Sequence, residues 1–156
     1  MATGDATQKA SGDKFVRATT ARLHAVQAIY QHALNPQNVK LTVNEYLSFR
    51  AGMTEDEETF VSPDGALFTR IVEGVHENFE RLQEVLTGLT MTEAGEPRKL
   101  EMLLTSTLLA GLYELLLDAQ TDAPIVINDY VEITKGFYAG KEPSLVNAVL
   151  DKAQKL

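Results

Sequence analysis

Ala110-Gly-Leu-Tyr-Glu-Leu115, Pro124-Ile-Val-Ile-Asn-Asp-Tyr-Val-Glu-Ile-Thr-Lys135 and Ser144-Leu-Val-Asn-Ala-Val-Leu-Asp-Lys-Ala153 follow one another in the last third of this 156-residue chain. The first ends an apolar run that starts near residue 98. It is apolar on nearly all sides and reads as a central core helix over 98–118. Asp122-Ala-Pro124 breaks the chain, and a proline-started helix follows, with Ile127, Tyr130, Val131, Thr134 and Phe137 or Tyr138 toward the core. Gly140 and Pro143 separate it from a last helix with Val146, Val149, Leu150 and Ala153 inward. All three segments carry helical period, and none sustains strand alternation.

The same period continues toward the N-terminus. A first helix is expected over 14–34, with Phe15, Leu23, Val26, Ile29, Tyr30, Ala33 and Leu34 on its inner side. Arg17, His24 and Gln31 fall opposite, flanked by Ala21, Ala25 and Ala28. Thr42 and Glu45 have capping-box spacing for a second helix, with Val43, Tyr46 and Leu47 inward, ending near Gly52. Glu55-Asp-Glu-Glu58 reads as a loop. Ser62-Pro63 has the form of an N-cap and first helical residue for a third helix running to Thr87, with Leu67, Ile71, Val75, Phe79, Leu82 and Leu86 inside. The expected fold is all-α: a single-domain orthogonal bundle of six or seven helices over 14–156, preceded by a disordered tail over 1–13.

Composition narrows the function. The chain has no cysteine, which excludes a disulfide framework, a thiolate metal site and a thiol nucleophile. The run from Leu100 to Leu117 is interrupted by Glu101, Glu114 and Thr105-Ser106-Thr107. It falls short of the ~20 apolar residues that cross a bilayer. Residues 1–13 have no apolar core, so they are no signal peptide, and a cytoplasmic location is expected. The net charge is −8, unevenly spread. Residues 14–44 hold Lys14, Arg17, Arg22 and Lys40 and no acid, while residues 45–129 carry −12 and residues 130–156 carry +1. An acidic middle lies between two basic ends.

No catalytic constellation can be assembled. His24, His32 and His76 lack metal-ligand spacing and read as solvated imidazoles. Glu55 to Glu58 lack the alternating oxygens and glycine of a calcium loop. No serine-nucleophile or phosphate-binding glycine motif is present. No enzyme, cofactor or small-molecule substrate is expected. The basic face of the first helix is suited to phosphates, while Gln31 and Asn147 suit base edges; a plain solvated face is the competing reading.

The three closing blocks, together with Arg22-Leu-His-Ala-Val-Gln-Ala-Ile-Tyr30, resemble the NusB family of bacterial transcription antitermination factors. The likeness extends from about residue 17 to 153. It implies a non-enzymatic factor that, with the small-subunit ribosomal protein NusE, binds single-stranded boxA-like RNA of ribosomal RNA leaders. It would do so at the RNA polymerase elongation complex and suppress premature termination. The resemblance implies RNA contacts at Arg17, Arg22, Tyr30, Phe137, Asn147 and Lys152, and the basic face of the first helix adds Lys14. Tyr30 and Phe137 read equally as core aromatics, and Asn147 equally as a tie between helices. Acidic Glu73, Glu77 and Glu80 are the candidate face for the basic NusE; a merely solubilising surface is the other reading. The chain departs from the family where Ala18-Thr19-Thr20 replaces an arginine run. An interaction module that keeps NusE but has lost strong RNA recognition is therefore the alternative.

Overall fold

The computed structural model describes the backbone of residues 2–52 and 63–156, and the side chains of residues 12, 14–49 and 63–156. Seven α-helices occur among them: α1 (Ala2–Leu34), α2 (Val39–Gly52), α3 (Gly65–Glu77), α4 (Phe79–Leu89), α5 (Met102–Tyr113), α6 (Ala123–Phe137) and α7 (Glu142–Gln154). The loop expected at Glu55 to Glu58 lies outside the described residues. The backbone of α1 is helical well ahead of residue 14, where apolar periodicity begins, so its start is not marked by hydrophobic pattern.

Helix α5 is the hub. It packs against α1, α3, α4, α6 and α7, and Leu104 and Ser106 to Leu112 are all buried. Burying hydroxyls costs free energy unless they are bonded. Ser106 and Thr107 meet that demand locally, donating to the carbonyls of Met102 and Leu103 at 2.8 and 2.9 Å. Gly111 permits the close approach of α7: a Cβ there would lie 2.9 Å from Leu150 Cδ1. The helix starts at Met102 rather than near residue 98. Arg98-Lys99 would set positive charge on the positive end of the dipole, and Glu101 is extended (φ −60°, ψ 146°) ahead of the first turn. It continues into one π-helical turn, Glu114–Asp118, which ends at Ala119 in the left-handed region (φ 49°).

Local side-chain chemistry moves several boundaries. The first turn of α2 is closed by Asn38, whose Oδ1 accepts from the Lys40 amide at 2.9 Å, and not by Thr42. Asp64 caps α3, accepting from the Leu67 amide at 3.1 Å, so Pro63 precedes the cap. The single helix expected to Thr87 is broken at Asn78 (φ −113°, ψ 22°). The Asn78 side-chain amide and backbone amide both donate to the Gly74 carbonyl, at 2.8 and 3.1 Å, and this local bonding competes with helix continuation. The break reorients Phe79: instead of facing the core it is 48% exposed, while Leu67, Ile71, Val75, Leu82 and Leu86 are buried as spaced.

The inner face of α1 is rotated from the expected one. Ala21, Arg22, Ala25, Val26 and Ile29 are buried, whereas Phe15, Ala33 and Leu34 are exposed and Leu23 and Tyr30 are half-buried. Small residues let helices approach closely, so the alanine stripe marks the packed side, against α3 and α5. In α6 and α7, Ile127, Tyr130, Thr134, Val146, Val149, Leu150 and Ala153 are buried as their spacing requires. Val131 and Phe137 are half-buried.

Candidate RNA and partner surfaces

A buried ionic cluster joins the signature blocks. Arg22 of α1 donates through Nε and Nη2 to the two carboxylate oxygens of Glu114, at 2.7 and 2.9 Å. Its Nη1 donates to Asp129 of α6 at 2.8 Å. Tyr130 donates its hydroxyl to Glu114 at 2.6 Å, and Thr19 donates to Asp129 at 2.9 Å. The side chains of Arg22, Glu114 and Asp129 are 2%, 1% and 2% exposed. Burial by itself would lower the guanidinium pKa; the hydrogen bond and charge of Glu114, with Tyr130 and Asp129, reverse this and raise it. Burial, then the charge and hydrogen bond of Glu114, push the Tyr130 phenol well above its ordinary value. The planar fork of arginine suits two carboxylates at once.

This geometry corrects the expectation for Arg22. Its guanidinium is enclosed and its donors are taken, so it is a tie between α1, the π-turn and α6 rather than a phosphate contact. The sequence carried a partial signal: Arg22 and Glu114 are the only charged residues of their signature blocks, and Asp129 is one of three in its own, with Glu132 and Lys135. The spacing between them, about a hundred residues, hid it.

The other expected RNA residues remain at or near the surface. Lys14, Arg17, Asn147 and Lys152 are exposed, and Tyr30 and Phe137 are half-buried. Exposure of Asn147 removes the reading in which it ties two helices. Phe137 packs partly against the core. The positions on α1 do not form one strip. Thr19 marks the side that meets α6, through Asp129. At about 100° per residue, Tyr30 lies about 20° from Thr19, whereas Lys14 and Arg17 lie about 140° and 160° away. Along the axis, Arg17 and Tyr30 are about 20 Å apart. Tyr30 thus shares a side with α6, and the two cations take the other.

The acidic candidates cluster around the helix break. Glu73 is half-buried on α3, and Glu77 and Glu80 are exposed on either side of Asn78. His24 is not a solvated imidazole: its Nδ1 lies 2.7 Å from the Tyr46 hydroxyl, and the Tyr46 ring stacks on Phe68 at 3.6 Å. Burial holds its pKa below the ordinary value. His32 and His76 meet edge to face with ring centroids 5.4 Å apart. Among the described residues no group of three histidine and carboxylate side chains is placed to hold a metal ion.

Comparison with known proteins agrees with this architecture. A family model described as the NusB family matches residues 19–155. The Rhodospirillum rubrum protein named "Transcription antitermination protein NusB" is 34% identical, over 97% of this chain and 90% of its own. The Bartonella tribocorum protein of that name is 37% identical, over 86% of each chain. That of Sinorhizobium medicae is 36% identical over 86% of this chain and 84% of its own. A solved structure of T. maritima NusB superposes with a TM-score of 0.68 at 20% identity, covering 88% of this chain and 89% of that one, a likeness of fold. On the family match and on relatives above 30% identity along nearly the whole chain, this protein belongs to the NusB family.

Proposed function

We propose that this chain is a non-enzymatic transcription antitermination factor. With a NusE-like small-subunit ribosomal protein it binds boxA-like RNA emerging at the RNA polymerase elongation complex and suppresses premature termination. The observation that carries this reading is the near full-length match to relatives named for antitermination. Residues 14–156 form the domain, and the backbone of residues 2–13 extends α1 ahead of it. None of the described helices is long and apolar enough to cross a membrane.

Single-stranded RNA is held by phosphate contacts together with stacking and edge contacts to unpaired bases. Lys14, Arg17 and Lys152 supply the cations, Tyr30 and Phe137 the half-exposed rings, and Asn147 an amide for base edges. Arg22 acts one step back. By tying α1 to α6 it fixes where Tyr30 stands relative to the α6–α7 end. The acidic region of Glu73, Glu77 and Glu80 attracts the basic partner and speeds encounter.

The burial of Arg22, with Ala18-Thr19-Thr20 in place of arginines, also favours a second reading: a module that keeps its protein partner but binds RNA weakly. Titration of a boxA-like single strand against a scrambled strand separates the two. Preference for boxA supports the RNA-binding factor, and equal weak binding of both strands supports the interaction module.

A further inference from the structure

The break at Asn78 opens a groove of about 930 Å³ bounded by the end of α1, the start of α2, the α3–α4 corner and the start of α5. Its floor is apolar, formed by Ile29, Val75 and Leu109. Two large apolar side chains on its lip, Phe79 and Met102, are 48% and 42% exposed. Gln83 Oε1 and His32 Nδ1 in its walls are buried without hydrogen-bond partners. An unmade buried hydrogen bond is costly, and paired apolar side chains at a surface concavity are a recurrent mark of an interaction site. Glu77 and Glu80 stand on the rim, and between residues 73 and 84 the chain has four acids against Arg81 alone.

We propose that this groove seats one apolar side chain of a basic protein segment, whose flanking lysines or arginines lie against Glu77 and Glu80. The inference rests on the reading of a basic protein partner and names where that partner's apolar anchor goes. The volume lies in the range of sites that enclose a whole drug-sized ligand, about 300–1,000 Å³, so it has room for an aliphatic or aromatic anchor together with the residues that flank it. A backbone amide entering with it would supply the donor that Gln83 Oε1 lacks. The acidic rim opposes a phosphate backbone, so an RNA strand is the wrong occupant.

The test uses the full chain and the basic small-subunit ribosomal protein as probe. The ε-methyl NMR signal of Met102, assigned through Met102→Leu, is followed as the probe is added. Affinity is measured for the unsubstituted chain and for Ala33→Trp, which fills an exposed part of the groove wall. The methyl signal is expected to shift on addition, and Ala33→Trp to weaken binding at least tenfold with an unchanged circular dichroism spectrum. Should Ala33→Trp fail to fold, the methyl shift and a Phe79→Ala variant carry the test. Normal affinity in the substituted chain with a stationary Met102 signal would overturn the groove while leaving the partner reading intact. No binding by the unsubstituted chain would overturn both. A Met102 shift produced by RNA alone, or by raising the concentration of the chain itself, would assign the groove to RNA or to a second copy and overturn the proposal.

Discussion

Replacing Arg22 with methionine separates a structural arginine from a phosphate-binding one. Methionine keeps much of the stem volume but removes three charge-assisted donors, at 2.7 and 2.9 Å to Glu114 and 2.8 Å to Asp129. It leaves two carboxylates, each 2% exposed or less, without their cation. Removing one partner of a buried ion pair costs about 3–5 kcal/mol, because the remaining charge stays desolvated. At roughly 2–4 °C per kcal/mol for a chain of this size, the thermal midpoint falls by about 6–20 °C. Urea denaturation followed by circular dichroism measures the loss directly. The double change Arg22→Met with Glu114→Leu should recover part of it, since one stranded charge is gone, so the two losses are not additive. An exposed arginine contributes about 0–1 kcal/mol through a surface ion pair. A loss that small, accompanied by a collapse of RNA affinity, would refute the buried-cluster account and return Arg22 to the RNA surface.

Further expectations follow from the same geometry. With Arg22 withdrawn, Lys14, Arg17 and Lys152 remain as the proposed phosphate contacts; at ~0.7 per phosphate the slope of log affinity against log salt should be about −2, and a slope of −4 or steeper would show more cations at work. Combined Lys14→Ala and Arg17→Ala should remove most RNA affinity while the circular dichroism spectrum stays helical; unchanged affinity would move the site elsewhere. The pKa of His24 is depressed by burial, so its stabilising contribution is present above the unfolded value of about 6.5 and is lost as pH falls. NMR titration should find His24 protonating later than a free imidazole on acidification, and an ordinary titration would contradict its placement beside Tyr46. Asp64→Ala should cost about 1 kcal/mol by uncapping α3, and a neutral result in urea denaturation would count against the Leu67 amide bond.

The helices of the last third were legible because their apolar positions obey one period and their breaks fall on Pro124, Gly140 and Pro143. The inward residues of α7 could be read without error, since Val146, Val149, Leu150 and Ala153 leave one consistent face. The face of α1 could not. Alanine has too little hydropathy to outweigh Phe15 and Leu34, yet Ala21 and Ala25 sit where the helices press together. Charge also misled there. Arg22 in an acid-free segment resembles a surface cation, and only the long-range meeting with Glu114 and Asp129 shows it to be internal. The α3–α4 break was hidden because Asn78 is tolerated in a helix and acts through its own hydrogen bonds to Gly74. The surfaces were legible only as segment charges, since exposure depends on which side each helix turns outward.

The central claim is that RNA and a basic protein partner act on this chain together. The direct measurement is boxA-like RNA affinity with the NusE-like protein absent and at saturation. Of the cations proposed to meet RNA, only Lys14, Arg17 and Lys152 are exposed, so the chain alone should bind weakly. If both proteins touch one RNA, saturation should tighten binding by about 1–3 kcal/mol, or roughly 5- to 150-fold. Reversing Glu77 and Glu80 to lysine should weaken partner capture and reduce that gain. A partner that binds this chain yet leaves its RNA affinity unchanged would contradict the antitermination account and leave the interaction module in its place.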